Sequence, residues 1–362
     1  MNTEFYTLNI QSVEPLTRDS VAIKLDVPAE LQEAFKYRAG QHLTFKSMLT
    51  GDEMRRSYSI CRAESEQSLE VGIKRIENGI FSNYANDQFA PGMTVDVMPP
   101  QGAFTLEMDA SNAKHYLLIA AGSGITPVLA HAQTILEQEP DSSVTLIYAN
   151  RTTNRMMFRD RISFLKNKYM QRLNWVKIFS KESLDAEILN GRVSAKKLIE
   201  LNNAHIINLD TVDEVMLCGP EAMIMNVKDF FEANKFPSDN IHFELFHSDS
   251  AAQASESHQA ELEERFGDEE SLVTVRSSGR NLQFKLEKSG QPILDMALDE
   301  GADVPYACKG GVCATCKALL VKGKVEMDNN HCLTDDEVEE GMILTCQAHP
   351  ITDEVEIDYD VI

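Results

Sequence analysis

Four cysteines near the C-terminus constrain this chain more than any other feature: Cys308-Lys-Gly-Gly-Val-Cys313-Ala-Thr-Cys316, then Cys346 after 29 intervening residues. A C-x4-C-x2-C…C spacing suits a [2Fe–2S] cluster, because one supple loop wraps three thiolates around two irons and two sulfides while a remote strand end supplies the fourth. Gly310 and Gly311 are expected to give that loop its freedom to bend and to turn its amides toward the sulfurs. The alternatives are a zinc knuckle or four unrelated buried thiols. Zinc sites favour two close cysteine pairs, whereas here the fourth ligand is single and distant. Cys332 and Cys61 lie outside the spacing and read as buried thiols. Seven cysteines, five of them clustered, make a poor disulfide framework.

At 362 residues the chain exceeds what one core usually organises, and 43% hydrophobic with 25% charged residues is ordinary globular usage. Residues 1–108 alternate over short stretches, such as Ser20–Val27, Leu69–Lys74 and Thr94–Met98, between turn signals at Ala39-Gly40 and Pro91-Gly92. That pattern predicts an antiparallel β-barrel. Over 109–247 the pattern changes to buried runs, Tyr116–Ala121, Val144–Ala149, Trp175–Phe179 and Glu214–Cys218, alternating with helical segments. These predict an α/β domain with a parallel sheet. The small, acidic stretch at 248–270 reads as a linker whose second half is either coil or a short helix. Residues 271–362 open with a strand pair, Leu272–Arg276 and Gln283–Glu287, and a helix beginning at Pro292.

The longest apolar run, around Tyr116–Gly122, is too short to span a bilayer, and Met1–Ile10 lacks an export pattern, so a cytoplasmic protein is expected. Net charge is −23, which argues against nucleic acid or anionic lipid as partner. Of the charged residues, 25 acids and 9 bases fall from Ser248 onward. Solubility and docking to a basic partner both account for that asymmetry.

Arg56-Ser57-Tyr58-Ser59-Ile60 falls on a predicted strand. Arg56 can clamp a pyrophosphate, Tyr58 on the same face can stack on a flavin, and Ser59 can hydrogen-bond it. A solvated face with a packing aromatic reads equally from the strand alone. Gly79-Ile-Phe-Ser82-Asn83 looks like a turn into a helix whose free amides suit a phosphate. Gly122-Ser-Gly124-Ile-Thr126-Pro127 closes a buried strand and opens a helix, where glycines let a dinucleotide approach the backbone; a plain glycine turn is the alternative. Cys218-Gly219-Pro220 follows another buried strand and belongs at the same sheet edge.

Taken in order, RSYS, GSGITP, CGPEAM, DVPYACKGGVCATC and LTCQ resemble the ferredoxin-NADP reductase superfamily with a C-terminal plant-type ferredoxin. Within it, the chain is most similar to reductase components that serve phenylacetyl-CoA epoxidation. The resemblance implies an antiparallel β-barrel FAD domain, an α/β nucleotide domain and an α+β (β-grasp) ferredoxin domain. It implies that Arg56, Tyr58 and Ser59 hold FAD with Lys74 and Ser82 nearby, and that Gly122, Gly124, Thr126, Pro127, Gly219 and Pro220 hold the nicotinamide nucleotide. Tyr58, Ser59 and Cys218 would line the hydride path, and His242-Phe-Glu244-Leu-Phe246 resembles the segment leaving the nucleotide domain. Arg151, Ser180 and Lys181 match positions that grip a 2′-phosphate, which points to NADPH over NADH, although Glu182 is near. One departure is Ala314, where relatives carry glycine. The implied activity is hydride transfer from NADPH to FAD, then single electrons through the cluster to the oxygenase component of a multicomponent monooxygenase. A diiron enzyme acting on an aryl-CoA thioester is the expected acceptor. The rivals are a Rieske-type ring or steroid hydroxylase as acceptor and, in another class, a zinc-stabilised nucleotide-binding interaction protein.

Overall fold

The computed structural model describes residues 4–49, 51, 53–246 and 251–361. They fall in two compact units, the first ending at Phe246. In the first unit, Tyr6–Thr17 (β1), Ser20–Asp26 (β2), His42–Ser47 (β3), Met54–Ser59 (β4), Glu70–Lys74 (β5) and Thr94–Gln101 (β6) form a six-stranded antiparallel sheet, order β4-β3-β6-β1-β2-β5. A bridge from Ile60 to Val71 links its two edges, so the sheet curls into a barrel. Alternation fills the interior: Leu8 and Ile10, Leu43 and Phe45, Val71 and Ile73 are buried. Ile80–Gln88 (α1) follows β5 and buries Phe81 and Ala85, one turn apart.

The same unit holds a parallel sheet. His115–Ala121 (β7), Ile125–Gln138 (α2), Ser143–Asn150 (β8), Arg159–Lys168 (α3), Leu173–Phe179 (β9), Ala195–Asn203 (α4), Glu214–Cys218 (β10), Glu221–Ala233 (α5) and Ile241–Glu244 (β11) alternate along the chain. Strand order is β11-β10-β7-β8-β9. The chain winds outward from β7 in one direction, then resumes on its other side at β10. The crevice outside the carboxyl ends of β7 and β10 is therefore the topological switch point, where such sheets bind ligands. Glu70 of β5 joins the two sheets: it accepts from Arg161 of α3 at 2.6 Å and from Arg62 at 2.6 Å, with its side chain 4% exposed. Burial favours the neutral acid, but the two guanidiniums outweigh it and hold the carboxyl below its usual range.

The second unit contains Ala251–Phe266 (α6), Glu270–Ser277 (β12), Arg280–Glu287 (β13), Ile293–Asp299 (α7), Lys317–Lys322 (β14), Val325–Met327 (β15), Asp335–Glu339 (α8), Met342–Leu344 (β16), Ala348–Pro350 (β17) and Glu354–Asp358 (β18). The sheet runs β13-β12-β18-β14-β16, with β12 and β18 parallel, and β15 pairs with β17 in a separate ribbon. Helix α7 packs Ile293, Leu294 and Ala297 into a core with Val273, Phe284 and Ile357, the mixed-sheet arrangement of a β-grasp.

Two local readings change. The stretch at 248–270 is helical from Ala251, not only in its second half, because Ala, Gln and Glu are strong helix formers. Among its described side chains the deep anchor is Leu262, fully buried, a contact that carries no periodic signal. Pro292 stands at the N-cap of α7, with the first turn beginning at Ile293. Among the described residues no helix is long and apolar enough to cross a membrane.

Candidate functional site

At the switch point two loops meet backbone to backbone. A Cβ on Gly124 would stand 2.2 Å from the carbonyl oxygen of Cys218, so only glycine lets the turn after β7 lie against the end of β10. The Thr126 hydroxyl donates to the Ser123 carbonyl at 3.0 Å, and the Tyr148 hydroxyl donates to that of Gly122 at 3.0 Å, pinning the turn from both sides. Pro127 sits buried in the first turn of α2, where no amide partner is needed. Gly219 and Pro220 lead from β10 into α5, Pro220 exposed as its N-cap. Lys74, at the end of β5, is half-buried, and a Cβ on Gly122 would meet its Nζ at 3.8 Å. Burial pulls the Lys74 ammonium down, with Asp19 opposing. The barrel thus delivers a cation to the glycine turn.

On β4 the alternation separates the residues. Tyr58 is half-buried, stacked on Phe81 at 5.7 Å and edge-on to Phe45 at 5.8 Å. Arg56 shares its face, exposed, with one guanidinium nitrogen donating to the Arg55 carbonyl. Ser59 points the other way, and its hydroxyl donates to Glu244 Oε2 at 3.1 Å. Glu244 ends β11 in register with Cys218 on β10. Three strands therefore gather Ser59, Cys218 and Glu244 in one crevice. Burial pushes the Glu244 carboxyl up to about 8, offset in part by Ser59. Burial, reinforced by Glu244, also pushes the Cys218 thiol well up. Both stand protonated at neutral pH. Sequence reasoning placed Glu244 only in a passing segment; the available signal was an acid among apolar residues at the carboxyl end of a parallel strand.

Ser82 is buried, accepting from the Ile76 amide at 3.1 Å and donating to the Gly79 carbonyl at 3.4 Å, so its side chain shapes the turn into α1. Arg151, Ser180 and Lys181 are exposed just past β8 and β9, tied together by a Lys181 amide donating to the Arg151 carbonyl at 2.9 Å. Glu182 turns elsewhere. Its carboxylate accepts from the Thr153 amide at 2.6 Å and hydroxyl at 2.7 Å, bonds that hold it below its usual range.

In the second unit the four spaced cysteines form two thiol pairs, Cys308 with Cys313 and Cys316 with Cys346. Cys313 donates to Cys308, and the amides of Gly310, Val312 and Cys313 also face that sulfur, holding the Cys308 thiol below its usual range. The Gly310 amide lies 3.3 Å from it. Two pairs suit a two-iron cluster, one pair to each iron, so the residues fit that group. Left-handed backbone occurs at Lys309 (φ 54°), Gly311 (φ 71°) and Ala314 (φ 55°). Gly310, expected to supply freedom, has ordinary φ; its neighbour Lys309 makes the turn instead. Cys332 donates to the Gly311 carbonyl at 3.4 Å, and burial pushes its thiol up to about 12, as for an inert side chain. Cys61 is likewise buried, bonded to the Glu70 carbonyl at 3.2 Å.

Family comparison agrees along the whole chain. Residues 7–106 match the oxidoreductase FAD-binding domain, 118–229 the oxidoreductase NAD-binding domain, and 275–350 the 2Fe-2S iron-sulfur cluster binding domain. The chain is 45% identical over 359 residues to a component of the 1,2-phenylacetyl-CoA epoxidase of Escherichia coli (strain K12), covering 99% of this chain and 98% of the relative. It is 32% identical over 355 residues to the ferredoxin reductase component of 3-ketosteroid-9-alpha-monooxygenase from Rhodococcus rhodochrous, covering 97% and 96%. Phthalate dioxygenase reductase, a modular structure for electron transfer from pyridine nucleotides to [2Fe-2S], shares the fold with TM-score 0.58 and 24% identity over 98% of each chain. The chain belongs to the ferredoxin-NADP reductase-like family of oxygenase reductase components, with FAD-binding, NAD-binding and C-terminal [2Fe–2S] domains in one polypeptide.

Proposed function

We propose that this reductase draws electrons from NADPH and serves the diiron oxygenase of a phenylacetyl-CoA epoxidase, in phenylacetate degradation. The carrying observation is the 45% identity to the epoxidase component over 99% of the chain, against 32% to the ketosteroid reductase. Bound FAD would supply hydride acceptance from the nicotinamide and the splitting of electron pairs into single electrons, and a bound iron pair would supply one-electron relay. Arg56 would clamp the FAD pyrophosphate, Tyr58 would stack on the ring, and Lys74 would add positive charge beside the glycine turn. Ser82 would hold the amino end of α1 in shape for a phosphate. Gly122, Gly124, Thr126, Pro127, Gly219 and Pro220 would form the bed of the nicotinamide nucleotide. Ser59, Cys218 and Glu244 would line the crevice as neutral groups and keep water and charge from the reacting rings. Cys308, Cys313, Cys316 and Cys346 would hold the irons. NADPH is favoured because Arg151 and Lys181 are exposed at the strand ends while Thr153 occupies the carboxylate of Glu182. Cytoplasmic residence belongs to the same reading, supported by Cys61, Cys218 and Cys332, which stand outside the cluster as unpaired thiols that a reducing compartment preserves.

Purified protein should reduce cytochrome c with NADPH, and Cys313→Ser should abolish that while sparing reduction of its flavin. Arg151→Ala with Lys181→Ala should raise KM for NADPH about tenfold or more and leave NADH unaffected; equal use of both coenzymes by the native chain rejects the NADPH assignment. Turnover with a Rieske oxygenase and none with the diiron component would reject the acceptor. Glu244 gives a pH test: the wild-type rate should fall as pH rises through about 8, when its carboxyl ionises, and Glu244→Gln should flatten that limb.

A further inference from the structure

In the second unit, helix α6 and the β15–β17 ribbon bring three ligating side chains together. His258 Nδ1 lies 2.6 Å from Asp328 Oδ1, and His349 Nε2 lies 3.2 Å from the same oxygen. The donor atoms of the three residues all fall within 4.8 Å of one another. His349 is 1% exposed; its Nε2 faces Asp328 as an ion pair at 3.2 Å, while its Nδ1 has no hydrogen-bond partner among the described residues. A buried imidazole left in that condition loses the bonds it had in water and calls for a partner. The 3.2 Å from Nε2 to the Asp328 oxygen is also a separation that two ligands of one ion can take.

The groups behind the ligands are also in place. Glu326 Oε2 stands 3.2 Å from His258 Nε2, on the far side of that ring, and Arg265 fixes Glu326 with two bonds at 2.8 and 3.0 Å. Ser255 donates to the other oxygen of Asp328 at 2.8 Å. A ligating histidine whose second nitrogen meets a carboxylate, and a ligating carboxylate whose second oxygen is hydrogen-bonded, are the outer partners that orient metal ligands. Two imidazoles with one carboxylate suit a borderline cation bound at about 2.0–2.1 Å, and suit calcium or magnesium poorly, since those ions prefer oxygen throughout.

We propose that His258, Asp328 and His349 bind one divalent first-row cation of the zinc class, clamping α6 to the ribbon whose second strand begins just after Cys346. This site is independent of the electron acceptor. Bound metal would tie the first helix of the cluster-bearing unit to the strand that follows the last cluster ligand.

The test uses the full chain with flavin and cluster loaded, because empty cluster cysteines would themselves take zinc. Protein stripped with a chelator, its visible absorbance unchanged, is dialysed against zinc sulfate, desalted, and analysed for zinc and iron. One zinc per chain is expected in the native protein, lost in His258→Ala and in Asp328→Asn without loss of iron. Glu326→Gln should weaken zinc binding about tenfold or more. Zinc should also raise the unfolding midpoint of the native protein and not that of His258→Ala, which alters a partly exposed helix position and spares the core. Equal zinc in native and His258→Ala protein, or none in the native protein, overturns the site.

Discussion

The nucleotide crevice and the cysteine loop both force backbone into close quarters, but they are held by different means. In the crevice, β7 and β10 are parallel neighbours in register from Glu214 opposite Tyr116 to Cys218 opposite Ala120. Neither strand can retreat, so the contact between Gly124 and the Cys218 carbonyl is set by the sheet itself. In the cysteine loop, side chains do the holding. Gln347 donates to the Lys309 carbonyl at 3.1 Å, and Asn329 donates to Gln347 at 3.1 Å. Where register fixes the backbone, a single methyl has nowhere to go. Where side chains fix it, strain is absorbed, even to the point of keeping Ala314 in a left-handed conformation.

Substitutions can break or sharpen this contrast. The largest effect should come from Gly124→Ala, whose Cβ meets backbone at 2.2 Å. We expect destabilisation of about 3 kcal/mol or more and loss of nucleotide binding, read by thermal unfolding and calorimetric titration. A variant that melts and binds like the native protein would show that the strand ends can part after all. Next is Gly311→Ala, which combines positive φ with contacts of 3.1 Å to the Asn329 carbonyl and Gln347 Cγ. Its cost should be about 2 kcal/mol, seen as faster loss of visible cluster absorbance in urea. Ala314→Gly should act in the opposite direction, relieving strain and stabilising the loop by about 1 kcal/mol in the same assay. Faster cluster loss in that variant would mean that the methyl packs usefully. Smallest is Gly310→Ala, where a Cβ meets little beyond the Cys308 carbonyl at 3.9 Å. A change within about 0.5 kcal/mol is expected, and a large one would mean that the loop needs flexibility at every position.

How far the sequence discloses each region follows from the same contrast. Three of the cluster cysteines fall in one short run, so their grouping was legible at once, and the barrel and parallel sheet announced themselves through periods of alternation and burial. The partnership of Ser59 with Glu244 spans 185 positions and two sheets, and no local pattern encodes it. Helix α6 hid for another reason: among its described side chains only Leu262 is deeply anchored, which gives no repeat to detect. The loop is left-handed at Gly311, as its glycines suggested, but also at Lys309 and Ala314 rather than at Gly310, because the path between ligands, not residue type alone, decides where the chain must reverse.

Glu70 carries a consequence for life in acid. Its carboxylate, gripped by Arg62 and Arg161, contributes stability that is complete above the ordinary carboxylate range and disappears as pH falls through its lowered folded value. The bond it supplies spans the barrel and α3. Protonating one side chain therefore loosens one of the ties between barrel and nucleotide lobe, alongside Arg155 with Asp19 and Ser59 with Glu244, so acid stress should show early as slower traffic between coenzyme and flavin.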